Sequence, residues 1–114
     1  MATASQVPHP LPPLLVDIVA NRFRALGEPM RIRTLDRLRD GEMTVGELAD
    51  ALGTTQQNVS KHVAILQRAG IVGRRRDGVR TPYAITDETG LDLCAIVCGG
   101  IRRETEGLAD ALRG

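Results

Sequence analysis

Gln56, Gln57, Ser60 and Lys61 fall within a turn and a half of one predicted helix, and each can reach a base edge or a phosphate in a major groove. Thr55 stands at the mouth of the same helix and is grouped with them. Arg74, Arg75, Arg76 and Arg80 follow, clustered around Asp77-Gly78. Between Thr54 and Pro82 six basic residues face Asp77 alone, a net of +5 in a chain whose total is +1, so the remainder carries −4. A polar helix face or an arginine run is by itself often just solvated surface. Side by side, they form an electrostatic footprint for phosphate. A third group is Cys94 and Cys98, spaced so that both thiols project from one face of a helix.

The elements that must hold these groups are legible around them. Thr44 and Glu47 form a capping box, after which Val45, Leu48, Ala49 and Leu52 share a helical face and Gly53 suits a left-handed stop. Thr54 or Thr55 caps the next helix, whose Val59, Val63 and Leu66 point inward. If Thr54 is the cap, Gln57 serves a capping box and not DNA. Gly70 ends this helix and Ile71 folds back on it. Two short helices joined by a few residues predict a helix-turn-helix. Ile71 to Thr86 reads as a two-stranded ribbon in which Val79, Thr81, Tyr83 and Ile85 alternate after the turn pair Asp77-Gly78. Pro82, lacking an amide, belongs at an edge or unpaired position.

The run TTQQNVSKHVAILQRAGIVGRRRDGVRTPYAI closely resembles the recognition helix and wing of the ArsR-type (ArsR/SmtB) winged helix-turn-helix regulators, and FRALGEPMRIRTLDRL resembles their second-helix entry. The resemblance covers about residues 20 to 86. It implies a mainly α fold with a small β-hairpin wing, and a homodimeric repressor formed through the first and last helices. It also implies double-stranded DNA as partner, read as an imperfect palindromic operator, and release by an inducer. Carried over by position, Gln56, Gln57, Ser60 and Lys61 match base- and phosphate-facing positions, Val59 and Val63 the core side, and His62 the histidine of a valine-serine-any-histidine run.

Elsewhere the chain has the size of one domain. Residues 1–13, with Pro8, Pro10, Pro12 and Pro13, form an expected flexible arm. Residues 14–114 form the winged domain. A first helix, about 14–26, carries Leu15, Ile18, Val19, Phe23 and Leu26 on one stripe. A second, about Pro29 to Arg39, buries Ile32, Leu35 and Leu38 and exposes Arg31, Arg33, Arg37 and Arg39, which pair with the interleaved Glu28, Asp36 and Asp40. Asp40-Gly41 is a turn, and Met43 begins a short extended link. A last helix, about 91–112, carries Cys94, Val97, Cys98, Ile101, Leu108 and Leu112. Its Gly99-Gly100 pair calls for a close helix approach at a dimer seam or a kink. With one Phe, one Tyr and no Trp, the core is aliphatic and small, which favours dimerisation. No apolar run is long enough to span a bilayer, and the N-terminus lacks a signal-peptide layout. The expected location is the cytoplasm, with reduced cysteines.

Two metal sites familiar in the family are missing from the residues. Its Glu-Leu-Cys-any-Cys-Asp-Leu run appears as Glu47-Leu48-Ala49-Asp50-Ala51-Leu52, with alanine at both cysteine positions. Asp92-Leu93-Cys94 starts like the last-helix site, but no histidine follows. Cys94 and Cys98 leave two readings open. They pack in the apolar stripe, as free cysteine usually does, or two symmetry-related pairs form a soft thiol site for arsenite or a divalent metal, or a redox switch. No cofactor is required. Paired carboxylates, a nucleophile with its base and a phosphate loop are all missing at useful spacing, so an enzyme is not expected. The rival class is a winged helix used as a protein-interaction module, its basic ribbon meeting an acidic partner.

Overall fold

The computed structural model describes residues 6–113. The expected arm therefore lies partly outside the described residues; residues 7–12 carry neither helix nor strand. The elements run α1 (Pro13–Leu26), α2 (Pro29–Leu38), α3 (Val45–Leu52), α4 (Gln56–Arg68), β1 (Val72–Arg74), β2 (Tyr83–Ile85) and α5 (Thr89–Arg113).

Local sequence accounts for most boundaries. Pro13 and Pro29 start α1 and α2 where a missing amide costs nothing. The Glu28 carboxylate caps α2 by accepting from the Arg31 amide at 3.0 Å. The capping box of α3 is complete: the Glu47 amide donates to Thr44 Oγ1 and the Thr44 amide to Glu47 Oε1. Gly53 closes α3 at φ 65°. Thr55, not Thr54, caps α4, accepting from the Asn58 amide at 3.1 Å, so Gln57 is free of the capping role. Gly70, at φ 79°, ends α4 in a Schellman turn: its amide bonds Gln67 O and that of Ile71 bonds Leu66 O, both at 3.0 Å.

β1 and β2 pair antiparallel with Val72 opposite Ile85 and Arg74 opposite Tyr83. The hairpin turn is one residue later than expected: Asp77 and Arg80 bond each other's backbones, leaving Gly78 and Val79 at the tip. Gly78 takes φ 62° and Val79 stays at negative φ, so the left-handed position falls where only glycine stands. Pro82 is buried just outside the paired strand, its carbonyl accepting from Arg75 N. The link before α3 does more than extend. Met43 and Tyr83 exchange both backbone hydrogen bonds, at 3.0 and 2.8 Å, adding a one-residue third strand.

The core lies where α2, α3, α4 and β1 meet, with Leu35, Leu48, Val59, Val63, Leu66 and Ile71 almost fully buried. α2 is turned relative to expectation. Ile32 is 43% exposed, and Thr34 takes its place inside, its hydroxyl bonded to Met30 O at 2.7 Å. A threonine that satisfies its hydroxyl on the preceding turn can sit in a core at little cost. The arginines of α2 do not mainly pair with neighbouring acids either. Arg33 and Arg37 donate to Leu52 O and Ala51 O, the carbonyls left open at the end of α3, while Arg39, the residue after α2, meets Asp36.

α1 and α5 leave most of their apolar stripes uncovered: Phe23, Ile18, Val97, Ile101, Leu108 and Leu112 are all exposed. The start of α5 is the exception. Gly90 is buried so closely that a Cβ would stand 3.2 Å from Leu26 Cδ2, and Arg22 of α1 pairs with Asp87 at 3.1 Å. Asp87 also accepts from the Thr89 amide, and hydrogen bonding from Thr89, with a smaller pull from the Arg22 guanidinium, holds its carboxyl below the usual range. α5 runs through Gly99-Gly100 as one helix. The radius of gyration, 17.1 Å, exceeds the roughly 13 Å of a compact chain near this length, because α1 and α5 project with apolar faces open.

Candidate nucleic-acid interface

Thr55, Gln56, Gln57, Ser60 and Lys61 are all exposed along the first turns of α4, while Val59, His62 and Val63 are buried behind them. The helix can present this polar face because its cap is met by Thr55 and its underside is held by the core. Gln57 and Lys61 border a shallow depression with Thr55. Gln56 leans the other way: its amide lies over Gly46 of α3, 3.5 Å from where a Cβ there would stand. Ser60 faces the wing and shares with Arg74, Arg80 and the start of α3 a groove of about 450 Å³. The folded chain thus brings Ser60 of the helix and Arg74 and Arg80 of the hairpin to one groove, with Thr55, Gln57 and Lys61 lining a separate depression.

That surface is less cationic than the sequence suggests. Asp77, the one acid within the cluster in sequence, stands 3.9 Å from Arg75, and α3 and its lead-in supply two more in space. Glu42 pairs with Arg75, and Glu47 pairs with Arg80 at 2.7 Å. The Glu47 carboxyl is held below its ordinary range by the Thr44 amide, the Thr44 hydroxyl and the Arg80 guanidinium, in that order. Arg74, Arg76 and Lys61 form no ion pair among the described residues. Sequence reasoning missed both carboxylates because each stands 33 residues from its partner; the one available sign, Glu47, was already spoken for by the capping box.

His62 packs and does not face outward. It is 7% exposed, with Nδ1 3.1 Å from Arg31 Nη1 and 3.6 Å from Glu28 Oε2.

Cys94 is half-buried and Cys98 exposed. Both border a cavity of about 580 Å³ between α2 and α5, with Ile32, Leu35 and Leu91. Burial, and then the neighbouring Cys98, push the Cys94 thiol above its ordinary pKa, so it stays protonated at neutral pH. Among the described residues no three His, Cys, Asp or Glu side chains gather in one chain to hold a metal. No described helix is long and apolar enough to cross a membrane.

Two short helices crossing through a tight turn, the second backed by the core and flanked by a two-stranded hairpin, define a winged helix-turn-helix. Residues 26–75 match the model of a helix-turn-helix domain. The chain is 40% identical over 85 residues to the HTH-type transcriptional regulator KmtR of Mycobacterium tuberculosis, covering 75% of this chain and 65% of that protein. It is 39% identical over 80 residues to the HTH-type transcriptional repressor SmtB of the same species, covering 70% and 59%. The chain thus spans less than two thirds of the length of either relative. Its fold is similar to the solution structure of the homodimeric winged helix-turn-helix DNA-binding domain (fragment 1–100) of Mb0332 from Mycobacterium bovis, a possible ArsR-family transcriptional regulator. The TM-score is 0.74 and the identity 33%, over 82% of this chain and 87% of that one. The chain belongs to the ArsR/SmtB family of helix-turn-helix transcriptional regulators.

Proposed function

We propose that the chain works as a homodimeric, sequence-specific DNA-binding repressor. Gln57, Lys61, Ser60 and Gln56 reach bases and phosphates in a major groove, and Arg74 and Arg76 grip the adjoining backbone, with Arg75 and Arg80 held back by their carboxylates. Thr55 acts chiefly as the cap that aims the helix. The observation that carries this reading is the common groove bordered by Ser60 of α4 and Arg74 and Arg80 of the wing. Two copies, joined through the open stripes of α1 and α5, would present two such surfaces to half-sites about one or more helical turns apart. A mobility-shift titration on the gene's own upstream DNA tests it. Affinity at least a hundredfold above random duplex is expected. Equal affinity for both favours a protein-interaction module instead.

Cys94 and Cys98 favour a second element, relief of repression by arsenite or a soft divalent metal. The thiols share one cavity, and Cys98 is exposed, which suits capture better than packing. Two thiols make an incomplete set, so the partner's pair would complete it. Arsenite, cadmium and zinc titrated into the DNA complex should release the native protein and leave a Cys94→Ser, Cys98→Ser variant bound. Identical responses remove the thiols from the mechanism.

A further inference from the structure

A second cavity, of about 310 Å³, opens at the far end of α4, between α1 and α2. It is bordered by Asn21, Arg24 and Ala25 of α1, Arg31 of α2, and Ile65 and Arg68 of α4. None of these borders the grooves around Ser60 or Gln57. Along the helix, Arg68 lies roughly 16 Å from Gln57 at 1.5 Å per residue. Three arginines thus border one small space, and no carboxylate-bearing residue lines it among the described residues.

Arg31 is fixed in place. Its Nε donates to Ala25 O at 2.6 Å and its Nη2 to Arg24 O at 3.1 Å, while Nη1 stands 3.1 Å from His62 Nδ1. Three of its five N–H groups are therefore engaged and two remain. Glu28, the acid of this network, accepts from the Arg31 backbone amide and stands 3.6 Å from His62, outside the cavity lining. The side chains of Arg24 and Arg68 form no hydrogen bond or ion pair among the described residues. Arginines around a space with no acid in its lining leave donors open to an anion, and guanidinium forks match the oxygens of phosphate and carboxylate two at a time.

We propose that the Arg24, Arg31 and Arg68 cavity binds a small multivalent anion, a phosphate or polycarboxylate compound, as an effector. The route to the DNA face is the Arg31 to His62 contact. An anion that draws on Arg31 alters its hold on His62, which is part of α4; this half rests on the reading of α4 as the DNA-contacting helix.

Calorimetric titration of the full chain with pyrophosphate and, separately, with citrate at constant ionic strength tests the binding without any DNA. Saturable binding of at least one probe is expected, one site per protomer, with affinity reduced tenfold or more in an Arg24→Gln, Arg68→Gln variant. It should be unchanged in an Arg74→Gln, Arg76→Gln variant. Both arginines of the first variant are exposed and bond nothing through their side chains, so its melting curve should stay close to native. Absence of saturation with both probes overturns the site, as does binding lost only with the wing arginines. A mobility shift with and without the bound probe then reads the effector role. The native affinity should change at least twofold while that of the Arg24→Gln, Arg68→Gln variant does not, and equal responses overturn that role while leaving the binding result standing.

Discussion

Replacing Glu47 with glutamine should strengthen DNA binding and make it more sensitive to salt. The Glu47 carboxylate meets Arg80 at 2.7 Å, with the two side chains 51% and 47% exposed, so the pair is in water and readily exchanged. Glutamine keeps an oxygen to accept from the Thr44 amide, so the capping box survives while the charge goes. Arg80 is then free for phosphate. Each phosphate neutralised adds about 0.9 to the slope of log affinity against log salt, so a dimer gains about 1.8. Between 50 and 200 mM salt that slope widens the affinity change by about twelvefold. Fluorescence anisotropy with a labelled upstream duplex at four salt concentrations measures it. An Arg80→Gln change added to Glu47→Gln should bring the slope back to native. A Glu47→Gln slope equal to native, with the fold intact by circular dichroism, would refute the view that α3 restrains the wing.

Thr55→Ala removes the acceptor for the Asn58 amide and should cost about 1 kcal/mol, lowering the melting temperature by roughly 4–8 °C; an unchanged melting curve would place the cap elsewhere. Because the Glu47 carboxyl is depressed below 4.5, its contribution to stability is present above that pH and fades as pH falls through the folded value. Urea denaturation between pH 5 and 2 should therefore show a shallower acid loss in Glu47→Gln than in native protein, and parallel curves would deny the linkage. Ile101→Asp with Leu108→Asp places charges on the open stripe of α5 and should yield monomers in sedimentation velocity, with helix content kept. Dimers that persist would move the interface off α5.

What the sequence made legible is what depends on near neighbours. The capping box at Thr44 and Glu47, the stop at Gly53 and the Schellman end at Gly70 involve residues within a few positions, where type alone nearly dictates geometry. The polar run from Gln56 to Lys61 was readable for the same reason: helical spacing places it opposite Val59 and Val63. What depended on distant residues was hidden. Ile32 and Thr34 stand two positions apart on a short helix, and only its docking against α3 and α4 decides which turns inward. The Met43 to Tyr83 bridge spans 40 residues with a single-residue strand, too short for any periodic signal. Glu42 and Glu47 reach Arg75 and Arg80 only because the wing folds back beside α3, so a charge count along the chain overstated the positive surface. The cavity beside Cys94 and Cys98 likewise exists only through the apposition of α2 and α5.

The most direct measurement is amide chemical-shift mapping of the labelled chain titrated with a duplex from its own upstream region. Perturbations concentrated on residues 55–61 and 74–80, with little change along 101–113, are the expected result. Perturbations concentrated on α5, with residues 55–61 undisturbed, would contradict the assignment of the α4 and wing surface to DNA.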